Sequence, residues 1–189
     1  MRLFIALDLP DDIKERLAGM SGGLPGARWV PPENMHLTLR FIGEVDNAQA
    51  RDLDDALSAV DGKGFDLTLK GIGSFGEANR LRALWAGVEP SEPLNRLQAK
   101  VEQAAVRAGL QVERRKFKPH VTLARFRADP PELKLSHYLS QHALFRAGPF
   151  PIQDFTLFSS FLGSEGALYE AEAVYPLERV AVPPERERL

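Results

Sequence analysis

The chain has 189 residues, of which 44% are hydrophobic and 26% are charged, and its formal net charge is -2. This length suits one domain or two small packed lobes, and the composition is typical of a soluble globular protein. The small net charge argues against a protein that coats nucleic acid through bulk electrostatics, and the absence of cysteine excludes disulfides, thiolate nucleophiles and thiolate-bound metals.

Hydrophobic periodicity predicts the elements of the first half of the chain. The first apolar run, at 2–9, is a strand, too short for a secretion signal or a membrane span, so we expect a cytoplasmic protein with no membrane segment. Asn47 is expected to cap the second helix, and the glycine-rich segment 71–76 to bend a hairpin. The expected order is the strand 2–9, a helix after Pro10, the strand 35–42, a helix to Val60, and the strands 65–70 and 81–88.

The second half of the chain is predicted to repeat this order of elements, with its own helix caps and turns. Ser91 is predicted to cap an amphipathic helix that ends at Gly109. The strand 119–126 follows, then a helix at 133–141, two strands at 150–162 and 167–177, and a frayed tail at 183–188. Each half thus runs strand, helix, strand, strand, which is the order of a duplicated α+β lobe with largely antiparallel sheets.

Two His-x-Thr sequences stand at corresponding places in the two halves. Alternate side chains of a strand share a face, so His36 projects with Thr38, and His120 projects with Thr122. Histidine, with an unperturbed pKa near ~6.5, can be either a proton donor or a proton acceptor at neutral pH. The threonine hydroxyls can donate to phosphoryl oxygens. Two such pairs around one phosphorus could therefore perform acid–base hydrolysis without a metal or another cofactor.

Basic residues surround the second of these sequences. As a group they favour an anionic substrate, although each one alone could equally be a solvated charge at a strand end. They are Arg114, Arg115, Lys116, Lys118, Arg125 and Arg127.

The paired motifs carry a family resemblance. The tetrapeptides 36–39 and 120–123 resemble the two signatures of the 2H phosphoesterase superfamily, in its RNA 2',3'-cyclic phosphodiesterase branch, which is also called the LigT-like or 2'-5' RNA ligase family. The segments 2–10, 29–34, 84–88 and 116–119 are similar as well. The resemblance implies one domain over 1–189, bilobal and pseudo-two-fold, in which the lobes flank a central groove and contribute the motif strands 35–42 and 119–126.

The resemblance also implies an activity. A hydrolase of this branch opens 2',3'-cyclic phosphates on RNA ends or nucleotides to 2'-phosphomonoesters, and the reverse reaction is 2'-5' RNA ligation. By the resemblance, His36 donates the proton to the leaving 3'-oxygen and His120 accepts the proton from water, whereas symmetry alone assigns neither role. Arg125 is then expected to contact phosphate and Phe41 the base. We expect a monomer without cofactors.

Strict alternation conflicts with the last two assignments. It would send Phe41 and Arg125 to the face opposite the histidines. Either the strands bulge after Leu39 and Leu123, or the two side chains reach the substrate from the strand ends.

Other interpretations of the same residues are weaker. A metal site would have two imidazoles but no third ligand at a suitable spacing. A second alternative is a module that binds terminal phosphates without cleaving them. Binding alone would not need a neutral imidazole opposite a charged one, so we consider this function less favoured than hydrolysis. Gly71-x-Gly73-x-x-Gly76 matches a dinucleotide fingerprint but lies between two strands. We expect His137 and His142 at the surface, and Trp29 and Trp85 in the core.

Overall fold

The computed structural model contains helices and strands and describes residues 1–77, 80–164 and 166–179. Within these residues the helices are α1 Asp11–Ala18, α2 Asn47–Ser58, α3 Glu92–Arg107 and α4 Glu132–Gln141, with a 3₁₀ turn at Pro32–Asn34. The strands are β1 Arg2–Asp8, β2 Ala27–Trp29, β3 His36–Glu44, β4 Phe65–Glu77, β5 Arg80–Val88, β6 His120–Phe126, β7 Arg146–Ile152, β8 Asp154–Gly163 and β9 Gly166–Pro176. The α+β class is confirmed, and the predicted tail at 183–188 lies outside the described residues.

The strands form one curled antiparallel sheet in the order β7-β4-β5-β6-β3-β1-β8-β9, with β2 beside β6. The join between β3 and β6 is narrow, because within the described residues only Leu37 and Val121 are Cα partners there. The sheet therefore divides into a first half-sheet, β3-β1-β8-β9, and a second half-sheet, β6-β5-β4-β7. The largely antiparallel arrangement expected from the sequence is confirmed.

Each half-sheet takes strands from both halves of the chain. The first combines β1 and β3 with β8 and β9, and the second combines β4 and β5 with β6 and β7. The reason is that β5 pairs both with β4, its hairpin partner, and with β6. Helix α3 then connects β5 to β6 as α1 connects β1 to β3. The halves of the sequence have thus exchanged strands, a feature that the linear order of elements does not display.

A continuous hydrophobic core lies between the sheet and the helices. The stripes of α2 and α3 are buried, with Leu57 and Val101 wholly inaccessible. The apolar residues of the motif strands also face this core, since Leu37 and Val121 are fully buried. Burying a side chain of this size contributes roughly 1.5–3 kcal/mol. The motif strands are therefore anchored by one face, and the other face is free for chemistry.

Three local predictions were wrong in detail. Asp46, not Asn47, caps α2: its carboxylate accepts from the Gln49 N–H at 2.8 Å, completing a capping box. The segment 71–76 continues β4 through a register shift instead of bending. The strand predicted at 150–162 is two strands that part at Gln153 and join opposite half-sheets, and a single intervening residue leaves no gap in the apolar pattern.

Two of the three glycines of the rejected dinucleotide fingerprint have a packing role. Gly73 lies against the Trp85 ring, and a Cβ at this position would come within 2.3 Å of it. Gly76 lies equally close to the Arg80 carbonyl oxygen. Both are places where the backbone approaches a neighbour too closely for a side chain.

No helix in the described parts of the chain is long and apolar enough to cross a membrane.

Candidate active site

A groove of about 630 Å³ lies where β3 and β6 meet. The structure brings all six residues singled out in the sequence to its walls: His36, Thr38, Phe41, His120, Thr122 and Arg125. Two motifs separated by more than eighty positions therefore contribute to one concavity.

A bulge in β3 brings Phe41 to the histidine face. Opposite this strand, Ala6 of β1 pairs with Thr38 and Ile5 pairs with Arg40, so Leu39 has no partner in the register. The extra residue reverses the alternation beyond it. Phe41 consequently lines the groove beside Thr38, while the Arg40 side chain is largely buried behind the strand.

The same irregularity occurs in β6. Trp85 of β5 pairs with Thr122 and Leu84 pairs with Ala124, which leaves Leu123 without a partner there. The Leu123 carbonyl instead accepts from the Val30 N–H at 2.8 Å. Arg125 is thereby brought to the groove. Of the two geometries that the sequence left open, the structure has the bulge in both strands.

The His36 ring is held by its backbone neighbour and by aromatic rings. Its Nδ1 lies 2.7 Å from the Asn34 carbonyl oxygen. Because a carbonyl can only accept, Nδ1 carries a proton, which leaves Nε2 as the second ring nitrogen available for chemistry. The ring lies 4.8 Å from Phe4 and meets Tyr169 edge-on at 5.4 Å, measured between centroids. Burial lowers the pKa of His36 to about 4, so the free imidazole is neutral at neutral pH.

His120 has the same local arrangement. Its Nδ1 donates to the Lys118 carbonyl at 2.6 Å, again two residues upstream. Phe75 meets the ring edge-on at a centroid distance of 4.7 Å. Burial, and to a lesser extent the positive charge of Arg125, lower the pKa of His120. Both histidines are therefore oriented alike and favour the neutral state, with Nε2 unprotonated.

The groove is electropositive. Its described lining includes Arg2, Arg115 and Arg125 and contains no carboxylate. Arg2 was missed in the sequence because it lies far from either motif and reaches the groove through β1. An anion is the expected occupant, since guanidinium groups match phosphate oxygens in a bidentate manner.

The aromatic residues around the imidazoles were also missed. Phe4, Phe75 and Tyr169 come from β1, β4 and β9, and no local sequence signal connects them with the histidines. Trp85, expected in the core, is half-buried and lies 6.4 Å from His120, measured between ring centroids. His137 is exposed, and His142 lies at the end of α4; both belong to a separate depression away from the groove.

No group of three or more potential metal ligands among His, Cys, Asp and Glu occurs in the described ranges. The groove instead offers two imidazoles, two hydroxyls and guanidinium groups. Such groups can transfer protons to and from a bound anion and stabilise its oxygens.

Comparison with known proteins places this geometry in a family. The family model described as LigT-like phosphoesterase matches the chain twice, at residues 7–85 and 87–169. An RNA 2',3'-cyclic phosphodiesterase of Archaeoglobus fulgidus is 30% identical over 178 residues, covering 93% of this chain and 99% of its own. Its counterpart in Thermotoga maritima is 32% identical over 176 residues, covering 90% and 92%.

Solved structures give the same result. A crystal structure of a Thermus thermophilus protein superposes with a TM-score of 0.77 at 26% identity, covering 95% of this chain and 99% of its own. The crystal structure of E. coli LigT complexed with 3'-AMP superposes with a TM-score of 0.75 at 28% identity, covering 93% and 97%. The double match follows the internal duplication, and each copy contains one His-x-Thr strand. The chain therefore belongs to the LigT-like phosphoesterase family.

Proposed function

We propose that this protein is an RNA 2',3'-cyclic phosphodiesterase that opens cyclic phosphate ends to 2'-phosphomonoesters. One observation carries the proposal: two imidazoles line one electropositive groove, and each is held at Nδ1 by a backbone carbonyl so that Nε2 is available. Family relatives that bear this activity in their names support it.

The two histidines have opposite roles in the proposed reaction. His120 Nε2 takes a proton from water, whose oxygen forms a bond to phosphorus. The bond from phosphorus to O3' breaks, and protonated His36 gives its Nε2 proton to that oxygen. The product has a 2'-phosphate and a 3'-hydroxyl. The assignment of donor and acceptor rests on the family resemblance. In 2'-5' ligation a 5'-hydroxyl takes the place of water as the attacking group, and the reverse of that step cleaves the 2'-5' linkage and restores the cyclic phosphate.

The donor role requires a charged His36, although burial favours its neutral form. A bound cyclic phosphate supplies a negative charge, and a nearby opposite charge raises the pKa of an imidazole. The Asn34 carbonyl favours the charged ring as well. The proposed sequence is therefore that substrate binding helps to protonate the donor.

The remaining groove residues stabilise the reacting group. Thr38 and Thr122 are proposed to donate hydroxyl hydrogen bonds to the non-bridging oxygens as their charge rises. Arg125 is proposed to bind the same phosphate. Phe41, whose side chain is 54% exposed at the groove wall, is proposed to stack against the base.

The proposal includes the organisation of the whole protein. Residues 1–189 form one domain of two packed lobes, and each lobe contributes one motif strand. The enzyme works without a metal or another cofactor, as a cytoplasmic monomer. Its substrates are RNA ends or nucleotides that carry a 2',3'-cyclic phosphate.

A product assay tests the activity. The protein is incubated with adenosine 2',3'-cyclic phosphate in the presence of EDTA, and the products are separated from 2'-AMP and 3'-AMP standards. We expect 2'-AMP. Formation of 3'-AMP alone would show that the bond from phosphorus to O2' breaks, which contradicts the proposed leaving oxygen. Tight binding without turnover would favour a phosphate-binding module.

A further inference from the structure

The groove extends beyond the histidines, and different arginines lie at its two ends. Leu37 and Val121 pair in antiparallel fashion, so the part of β3 after Leu37 runs beside the segment that precedes Val121. Arg125 therefore lies toward one end of the groove, whereas Arg115 lies toward the other, beside the last residues of β3. We call this second end, lined by Arg2, Gly43 and Arg115, the distal end.

Side-chain contacts confirm where the segment before β6 lies. Arg40 of β3 approaches the Glu113 carboxylate at 3.6 Å. The Glu113 N–H donates to Glu102 of α3 at 2.9 Å. The segment that carries Arg115 is thus fixed against both β3 and α3.

Arg115 is held in a fixed orientation by Glu113. Its Nη2 and Nε donate to the two carboxylate oxygens at 2.9 and 3.2 Å, and its backbone N–H donates to the same carboxylate at 2.9 Å. These hydrogen bonds lower the pKa of Glu113 to about 2, so the carboxylate remains charged over the whole working range. The Arg115 side chain is otherwise 79% exposed, and its Nη1 edge is not among the atoms bound to Glu113.

We propose that Arg115, oriented by Glu113, binds the phosphate on the 5' side of the terminal nucleotide, so that the enzyme prefers RNA chains to mononucleotides. This inference rests on the proposed function. The cyclic phosphate lies between the histidines, and the preceding phosphate of the same strand lies at the distal end, where Arg2 adds a second positive charge. Arg115 is a specificity determinant and Glu113 is a positioning residue.

A carboxylate and a phosphate can bind the same guanidinium group at different edges. Glu113 occupies one edge of the guanidinium and leaves the other edge for phosphate oxygens, as a fork of five donors permits. A freely moving arginine would lose more side-chain entropy on binding. Fixing it in advance reduces that loss.

Initial-rate kinetics with three substrates test the proposal. They are adenosine 2',3'-cyclic phosphate, the same nucleotide with a 5'-phosphate, and the dinucleotide ApA with a 2',3'-cyclic end. A charge-assisted hydrogen bond contributes roughly 1.5–3 kcal/mol, so we expect Arg115→Ala to raise KM for the dinucleotide about tenfold to a hundredfold, with kcat unchanged. KM for adenosine 2',3'-cyclic phosphate should change less than about twofold.

Matched variants separate orientation from charge. Arg114→Ala removes a neighbouring exposed arginine that is not among the groove-lining residues and should leave all three substrates unaffected. Glu113→Gln should raise KM for the dinucleotide and not for adenosine 2',3'-cyclic phosphate. Arg115→Lys should restore only part of the loss, since an ammonium lacks the planar fork.

The possible outcomes are distinct. If Arg115→Ala raises KM equally for all three substrates, the inference is overturned while the proposed function stays intact. The same holds if the wild type prefers neither the 5'-phosphorylated nucleotide nor the dinucleotide to adenosine 2',3'-cyclic phosphate. A preference for the 5'-monophosphate alone shows a mononucleotide enzyme and also overturns it. Absence of turnover by the wild type with every substrate refutes the proposed function, and the inference with it.

Discussion

Leu37 faces Val121 across the junction of β3 and β6, and within the described residues this is the only Cα pair that the two motif strands share. Both side chains are fully buried. One residue to either side, the backbones begin to diverge and the groove opens. The alignment of the two motif strands therefore depends on side chains as well as on the backbone.

Arg40 is the first of these side chains to test. Its Nε lies 2.6 Å from Glu102 in a close ion contact that is not an aligned hydrogen bond, and its side chain is only 9% exposed. We expect Arg40→Ala to lower the free energy of unfolding by about 3 kcal/mol, at the lower end of the range for buried pairs, because the half-buried Glu102 carboxylate loses its counter-charge. Urea unfolding measures this change.

An exposed ion pair provides the control for that measurement. Lys100 pairs with Asp61 at 2.8 Å, and both side chains are well exposed. Lys100→Ala should therefore cost less than about 1 kcal/mol. Similar losses for the two variants would contradict the structural role of Arg40.

Replacing either groove histidine should nearly abolish turnover. His36→Ala and His120→Ala each remove a proton-transfer group, which typically supplies ~10²–10⁴-fold in rate. Formation of 2'-AMP from the cyclic nucleotide measures the loss, with circular dichroism to verify folding. His137→Ala, on an exposed site of α4, is the control and should retain the full rate. Retention of near-wild-type rate by either groove variant would disprove the two-histidine chemistry.

The pH profile of kcat/KM should be bell-shaped, with its maximum below about pH 6.5. The free enzyme must have one protonated and one neutral imidazole, and burial lowers the pKa of both below the ordinary ~6.5. The profile of kcat alone should be displaced to higher pH, since the bound phosphate raises these pKa values. A kcat/KM maximum above pH 7.5 would contradict the depressed pKa values.

The same burial of His36 should make folding pH-dependent. Unfolded, the ring takes up a proton near ~6.5, and folded it does so only near 4. Between these values the unfolded state binds more protons, so stability falls as the pH falls. The total loss by pH 4 is about 3 kcal/mol, and roughly two-thirds of it should be reached by pH 5.

Urea unfolding at pH 7 and pH 5 measures this loss. His36→Gln should flatten the dependence, whereas His137→Gln should leave it as in the wild type. An unchanged slope in His36→Gln would assign the effect to other groups.

The threonine hydroxyls should affect kcat more than stability. Thr38→Val and Thr122→Val preserve shape while removing a donor, and loss of such a donor typically costs ~10²–10³ in kcat. Thr68→Val changes a buried threonine of β4 that is not among the groove-lining residues, and it should leave kcat unaltered. Equal kcat values for all three variants would exclude a hydroxyl contribution.

The site was partly predictable because its central residues lie in local patterns. His36 and Thr38, like their counterparts in β6, are recognisable from spacing of two in a strand. The bulge at Leu39 was left open, since alternation alone does not specify an unpaired residue. Arg2 and Tyr169 reach the groove through β1 and β9, and such long-range pairing has no local signature.

The fold, like the site, was predictable where local sequence patterns specify it and not where long-range pairing decides. Helical stripes and alternating strands gave the elements, because burial of one face imposes a period. The exchange of β4 and β5 into the second half-sheet was not predicted. It depends on which half-sheet the hairpin joins. The hydrophobic pattern of a hairpin is the same whichever half-sheet it pairs with.

That exchange makes the two halves of the polypeptide interdependent. A fragment ending near residue 88 would contain β4 and β5 without the β6 and β7 that border them, and β1 without β8. Such a fragment could not complete either half-sheet or shield its apolar face alone. The groove, which takes one imidazole from each half of the chain, therefore forms only when both halves fold as one unit.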